Sequence, residues 1–278
     1  MSSLTSDAHQ YQTLQISREG AVDWVTLNRP EHLNTLNHRM TEELGHYFDS
    51  LHANPRVRLV VLRGAGTAFC AGLDMRDSEG EERAFDLESA GPAQRLVLQR
   101  RISDIVIRMR RVPQPIISLV HGPACGGGFA LALASDIRIA GESARMNAAF
   151  IRIGLSGCDI GVSYFLPRLV GVSVASELML TGRFIKADRA LRVGLVSEVV
   201  PDEQLVELAK TYVADMLNTA PLGLRLTKEC LNISVDAGSL EAAIAMEDRN
   251  QVLCTLTQDF NEGIAAFIEK RPPRYSNT

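Results

Sequence analysis

The sequence predicts an α/β core followed by a helical C-terminal region. Three observations carry that expectation. First, residues 116–136 run from an apolar, β-branched stretch through a Gly-Pro turn and three consecutive glycines into a short apolar segment. That is the pattern of a buried strand, a glycine turn and the start of a helix. Second, residues 57–62 are another apolar run that follows a helical pattern at 41–53. Strand, helix, strand implies layered α/β packing. Third, nearly everything after Pro201 has helical spacing. The expected organisation is a flexible tail at residues 1–10, an α/β core at 11–200 and a helical region at 201–278. No long linker, low-complexity segment or clean internal repeat interrupts it.

Residues 1–10 are polar and read as a loose tail. Residues 11–17 and 21–27 alternate around Arg18-Glu19-Gly20, the pattern of a β-hairpin. Asn28-Arg29-Pro30 ends it. The spacing of Leu44, Tyr47, Phe48 and Leu51 predicts a helix over 41–53, with Thr41 as its N-cap. Asn54-Pro55 stops that helix. Residues 57–62 read as a buried strand and Gly64-Ala65-Gly66-Thr67 as a turn. Small residues again flank a glycine in Ala68-Phe69-Cys70-Ala71-Gly72-Leu73-Asp74-Met75. Residues 75–91 are acidic and rich in breakers, which reads as a mobile loop with a solvated charge run. Residues 92–111 are amphipathic, with Leu96, Val97, Ile102, Ile105, Val106 and Met109 on one stripe, and Pro113 and Pro115 end them. Further strands are expected at 136–140 and 195–200. Further helices are expected at 160–169, 173–180, 187–193, 202–217, 221–233, 240–253 and 258–268.

Composition bounds the function. The chain has 278 residues, 46% hydrophobic and 22% charged, enough for a soluble protein with an ample core. Its net charge of −4 offers no basic surface to nucleic acid or an anionic membrane. No apolar run approaches the ~18–20 residues of a membrane span. The N-terminus lacks a signal-peptide core, so the expected compartment is the cytoplasm. Cys70, Cys125, Cys158, Cys230 and Cys254 form no CxxC pair. Such a set reads as reduced thiols, not as a disulfide frame or zinc site. The three nearest the glycine turns read as small core fillers.

The glycine turn before Phe129 has a chemical use. The first N–H groups of a helix lack internal partners and carry the positive end of its dipole. Glycines there let a ligand approach the backbone, so the turn suits a negatively charged oxygen. A phosphate cradle would carry GxGxxG or GxxxxGK[ST], and neither is present. An oxyanion hole needs only one or two backbone donors. Tight helix–strand packing accounts for the glycines equally well.

Five ordered blocks resemble the crotonase superfamily, the enoyl-CoA hydratase/isomerase family. They are Leu27-Asn28-Arg29-Pro30 with Asn34 and Leu36, Phe69-Cys70-Ala71-Gly72-Leu73-Asp74, His121-Gly122-Pro123-Ala124-Cys125-Gly126-Gly127-Gly128, Leu166-Pro167-Arg168-Leu169-Val170-Gly171, and Glu262-Gly263-Ile264-Ala265-Ala266-Phe267-Ile268-Glu269-Lys270-Arg271. They span about Tyr11 to Arg274. The resemblance implies a crotonase-like core of repeated β-β-α units with a helical C-terminal trimerisation region, assembled as a trimer or a dimer of trimers. It implies a thioester oxyanion hole from the N–H groups of Leu73 and Gly127. It further implies a bent CoA, with adenine near the segment after Leu73. The substrate contacts it implies are Arg29, Leu33, Ala71, Gly72, Asp74, Met75, Gly126 and Phe150. Phe267 and Lys270 match residues that reach the CoA of a neighbouring subunit. Ordinary helix packing and a solvated charge are the other reading of that pair.

The sequence also departs from the family. Typical hydratases carry a glutamate two residues past the triple glycine, where this chain has Ala130. They carry another four residues before the next glycine motif; counted back from Gly154, that position is Phe150. Both water-holding carboxylates are absent by this count. Asp159 remains. Counted back from Leu166-Pro167-Arg168 it matches the catalytic aspartate of dienoyl-CoA isomerases, with a one-residue offset upstream. Aspartate also favours the N-cap of a following helix, and the two roles are compatible. A base here would be partly desolvated, with its pKa raised towards neutrality. Ser156, Cys158 and His121 are secondary candidates, His121 reading better as a core histidine bonded to backbone and Asp74 as a cap or orienter of its turn. The expected function is turnover of an unsaturated acyl-CoA through an enolate, with double-bond isomerisation favoured. Some relatives use an aspartate in this region as a nucleophile, which keeps hydrolysis or dehalogenation open. A carrier or sensor that binds acyl-CoA without catalysis is the alternative from another class. No metal or redox cofactor is expected; coenzyme A arrives as part of the substrate. The apolar stripes of the C-terminal helices are expected to meet another copy of the chain.

Overall fold

The computed structural model describes residues 11–75 and 91–278. The expected tail at 1–10 and the interior of the expected loop at 75–91 lie outside the described residues. The chain opens with β1 (Leu14–Glu19) and β2 (Val22–Leu27), paired antiparallel as the hairpin predicted. Helix α1 (His38–Leu51) starts earlier than its apolar spacing suggested. Its N-cap is Asn37, whose Oδ1 accepts the Met40 N–H at 2.9 Å, while the Thr41 hydroxyl donates to the Asn37 carbonyl. Strand β3 (Leu59–Gly64) then lies parallel to β2. Helix α2 (Pro92–Arg111) has its expected bounds.

Strand β4 (Ile116–Val120), short strand β5 (Pro123–Cys125) and helix α3 (Gly127–Ala134) are the strand, turn and helix of the central stretch. Strands β6 (Ile137–Gly141) and β7 (Arg145–Asn147) precede α4 (Val162–Thr181). The two helices expected at 160–169 and 173–180 are one run broken at Gly171, whose φ of +76° is non-helical. Strand β8 (Ile185–Lys186), helix α5 (Ala187–Arg192) and strand β9 (Glu198–Val200) follow. The strand expected from 195 is confined to its last three residues. Helices α6 (Leu205–Leu217), α7 (Pro221–Ser234), α8 (Leu240–Thr255) and α9 (Gln258–Glu269) complete the chain, close to their expected bounds.

The main sheet has the order β1-β2-β3-β4-β6-β9, and every pairing after the first is parallel. A parallel sheet must be covered on both faces. The pleat sorts the side chains accordingly. Val60, Leu62, Ile116 and Val120 face α1, α2 and α3 in one core cluster. Leu59, Val61, Ile117 and Leu119 face Leu205, Ala209 and Val213 of α6 in a second. A separate small sheet, β5-β7-β8, sits beside the glycine turn. Strands this short carry no periodicity, and the sequence reading did not contain that sheet.

Candidate active site

Two backbone turns meet beyond the carboxyl ends of β3 and β4. The segment after β3 runs alongside β5: Cys70 N–H donates to the Pro123 carbonyl and Cys125 N–H to the Cys70 carbonyl, at 3.2 and 3.0 Å. Further on, Leu36 N–H donates to Gly72 O at 2.7 Å and accepts Asp74 N–H on its own carbonyl at 3.0 Å. In a parallel bridge of this kind the central residue, Leu73, turns its own N–H to the other side. Gly72 has φ +107°, and a Cβ there would lie 3.0 Å from Cys125 O and 4.0 Å from Gly127 N. The Ala71–Leu73 backbone thus abuts the second turn directly. In that turn Gly126 has φ +49°, and its N–H donates to Asn147 O of β7 at 3.0 Å. Gly127 opens α3, and N–H groups in the first turn of a helix have no intrahelical acceptor.

A polar knot holds the first turn. Leu33 and Asn34 both adopt left-handed backbone, with φ of 51° and 55°. Asn34, fully buried, accepts Arg29 N–H and donates to the carbonyls of Ala65 and Ala68. Ala71 N–H donates to Leu33 O at 3.0 Å, while the Leu33 side chain is largely exposed. Arg29 and Asp74 are both buried and form an ion pair at 2.9 Å. Thr35 Oγ1 donates to the same Asp74 oxygen at 3.0 Å. Asp74 is thus bonded to Arg29 and Thr35 at the base of this turn. Met75 follows it and is exposed.

The opposite wall comes from residues 148–161. Phe150 lies in a 3-10 turn, Ala149–Ile153, and its ring would be 3.3 Å from a Cβ on Gly126. The Ile160 side chain would be 3.7 Å, and that of Leu36 2.8 Å, from a Cβ on Gly127. Ala130, on α3, is fully buried. Asp159 directly precedes Ile160 and is half-buried. Its Oδ1 accepts the Ile160 N–H at 2.8 Å and the Gln99 Nε2 amide at 2.6 Å. Burial raises its pKa from the ordinary aspartate value, against the opposing effect of those two bonds. The N-cap of α4 is Gly161, with no side-chain cap bond. The capping role for Asp159 is thereby corrected: the chain makes a left-handed step at Ile160, φ +46°, before the helix begins.

The structure brings Ala71, Gly72, Leu73, Gly126, Gly127, Phe150 and the Ile160 neighbourhood of Asp159 together. Phe267 and Lys270 lie on another element, α9; Phe267 is 84% exposed and Lys270 ends the helix in left-handed backbone. Half-buried His121 bonds through Nε2 to Gly66 O at 3.0 Å, as a backbone-bonded histidine should. Ser156 Oγ accepts the Cys158 N–H, and Cys158 is exposed. Cys70 is buried, and burial pushes its thiol up to about 12 and that of Cys125 up to about 11, which suits packing more than nucleophilic chemistry. Gln99 is a hydrogen-bond partner of Asp159 that the sequence does not reveal. It stands 60 residues from Asp159 on an amphipathic helix, and no local pattern marks it.

The chain is similar to known proteins over nearly its whole length. The family model for enoyl-CoA hydratase/isomerase matches residues 17–278. A probable enoyl-CoA hydratase of Mycobacterium bovis is 40% identical over 254 residues, covering 91% of this chain and 88% of that protein. A 1,2-epoxyphenylacetyl-CoA isomerase of Escherichia coli is 34% identical over 258 residues, covering 93% of this chain and 96% of that protein. The crystal structure of a probable enoyl-CoA hydratase/isomerase from Mycobacterium abscessus superposes with a TM-score of 0.87 at 35% identity, over 96% of this chain and all of that one. With its crotonase fold and a family match over nearly its whole length, this chain belongs to the enoyl-CoA hydratase/isomerase family.

Proposed function

We propose that this member of the family moves a double bond in an unsaturated acyl-CoA, with Asp159 as the base and the Leu73 and Gly127 N–H groups as an oxyanion hole. The observation that carries the reading is Asp159 itself: a half-buried carboxylate of raised pKa, one residue from Ile160 at the Gly127 turn. Ala130 and Phe150 occupy the positions where hydratases of the family are expected to hold water between two glutamates. A single carboxylate suits proton transfer between two carbons. Asp159 takes a proton from the α-carbon of a 3-enoyl thioester. The C–H electron pair spreads over the C=C–C=O system, and its charge rests on the thioester oxygen. The proton returns at the γ-carbon, and the double bond moves from β,γ to α,β. Nothing is consumed, and no metal or redox cofactor enters.

The oxyanion hole supplies the barrier lowering. The charge that develops on the thioester oxygen meets two preset backbone donors, and losing one such donor typically costs ~3–4 kcal/mol. The Arg29–Asp74 pair would hold the Leu73 turn in register, with Leu33, Ala71, Gly72, Met75, Gly126 and Phe150 against the substrate. Phe267 and Lys270 are proposed to reach the CoA of a neighbouring subunit in a homo-oligomer. The relative named as an isomerase supports rearrangement chemistry; the relative named as a probable hydratase makes hydration the rival to test. Among the described residues no helix is long and apolar enough to cross a membrane. A cytoplasmic setting is part of this proposal.

The test follows deuterium entering the α- and γ-carbons of enoyl-CoA substrates in D2O, beside calorimetry for binding. Exchange that disappears in Asp159→Asn while binding survives is the expected result. Binding without exchange in the wild type identifies a carrier. Release of free CoA identifies thioester hydrolysis. Hydration of crotonyl-CoA by the wild type at ~10 s⁻¹ or more, an ordinary enzyme rate, refutes the reading of the missing carboxylate pair.

A further inference from the structure

We infer that Gln99 is a positioning residue for Asp159: it fixes the carboxylate through Oδ1 and reserves Oδ2 for the substrate. The inference rests on the reading of Asp159 as the base. Two donors from different parts of the chain end on the same oxygen, Gln99 Nε2 at 2.6 Å and Ile160 N–H at 2.8 Å. Among the described residues Oδ2 has no hydrogen-bond partner. A carboxylate has about four acceptor sites, two on each oxygen. Here those on Oδ1 are taken and those on Oδ2 are open, so the proton must be received at Oδ2.

The terminal torsion of an aspartate is broad and roughly two-fold. One bond to the adjacent backbone N–H leaves the plane of the carboxylate loosely set. The second bond, from α2, fixes it. Helix α2 is a firm support for that task. Ile102, Ile105, Val106 and Met109 anchor it in the core, and Arg110 ties its far end to Asp136 at 3.1 Å. The chemical type of residue 99 also matters. A neutral amide orients a carboxylate without the strong loss of basicity that an adjacent lysine or arginine would cause. The strained Ile160 backbone, φ +46°, supplies the other donor, so the arrangement is held by conformation as well as by bonding.

The experiment is a cycle of four proteins: wild type, Gln99→Met, Asp159→Asn and the double variant. Substrate deuterium exchange reports rate and calorimetry reports acyl-CoA binding. Methionine keeps the length and shape of Gln99 and removes the donor. Misorientation of a reacting group can cost on the order of a hundredfold, so Gln99→Met should lose about ten- to a hundredfold in exchange rate with the Kd unchanged. In the Asp159→Asn background, where exchange is already lost, the same change should leave acyl-CoA binding unaltered, because Gln99 acts only through Asp159. A wild-type rate in Gln99→Met overturns the inference. So does an equal loss of rate and binding, or a loss of acyl-CoA binding in the Asp159→Asn background, since both mark a structural role. If Asp159→Asn alone retains exchange, the base reading fails. If Asp159→Asn is inactive and Gln99→Met is unaffected, only the positioning role fails.

Discussion

Asn34 carries more of the first turn than its size suggests. It tolerates left-handed backbone better than most residues, because its side chain can bond to nearby backbone. Here it accepts one N–H and donates to two carbonyls at a fully buried position. Asn34→Ala strands all three groups, at roughly 1 kcal/mol for each lost bond. A loss of about 3 kcal/mol in urea unfolding is expected. Asp159 predicts the opposite sign. Its folded-state pKa is raised by burial. Such a carboxyl holds its proton more tightly in the folded state, so its contribution is full below the unfolded pKa and is lost as pH rises through the folded pKa. Asp159→Asn removes that penalty and keeps an acceptor for Ile160 and Gln99. Its melting temperature near pH 7 should equal or exceed the wild type, and the difference should close in acid. Wild-type exchange should fall as pH drops through the raised pKa, because the base must be ionised.

At the scale of elements, the central strand, turn and helix were legible because each has its own local signature. The reason for three glycines was only half legible. The sequence suggested close approach; the structure gives the partner. A Cβ on Gly128 would lie 2.0 Å from Cys70 O, which is backbone and cannot turn aside. Gly128→Ala should therefore separate α3 from the Cys70 segment and cost at least ~2 kcal/mol, read by denaturant unfolding. What stayed illegible shares one physical cause. The β5-β7-β8 sheet, the Gln99–Asp159 bond and the Asn147 carbonyl that takes Gly126 N–H are all tertiary pairings. The cap assignments failed differently. Thr41 and Asp159 are good capping residues, but Asn37 begins its helix one turn sooner, and the left-handed step at Ile160 moves the other cap to Gly161.

In the whole molecule, the C-terminal helices are tied to the α/β core at a buried lysine. Lys228 of α7 reaches Asp136 at 2.9 Å and the carbonyls of Gln114 and Met109 at 2.7 and 3.1 Å. Lys228→Met would leave these acceptors without that cation, and breaking a buried pair typically costs ~3–5 kcal/mol, less here because Asp136 is only partly buried. The Arg110 bond to the same carboxylate should hold the loss towards the lower value. The outer side of these helices has no such closure among the described residues. On α9, Phe260, Ile264, Phe267 and Ile268 follow the i, i+4, i+7, i+8 spacing of one helical face, and all four are exposed. Leu240 and Ile244 repeat the pattern on α8, and Leu256 between the two helices is 77% exposed. Exposed apolar side chains at this spacing are expected to be covered by a partner. A second copy of this chain is the occupant the family resemblance implies. Light scattering at micromolar concentration should then give a mass that is a multiple of the chain. Ile268→Asp should break the assembly down. Phe267→Ala and Lys270→Ala should weaken acyl-CoA binding in the assembled protein. A monomer with full affinity for acyl-CoA would remove Phe267 and Lys270 from the site and leave the exposed face of α9 without its proposed partner.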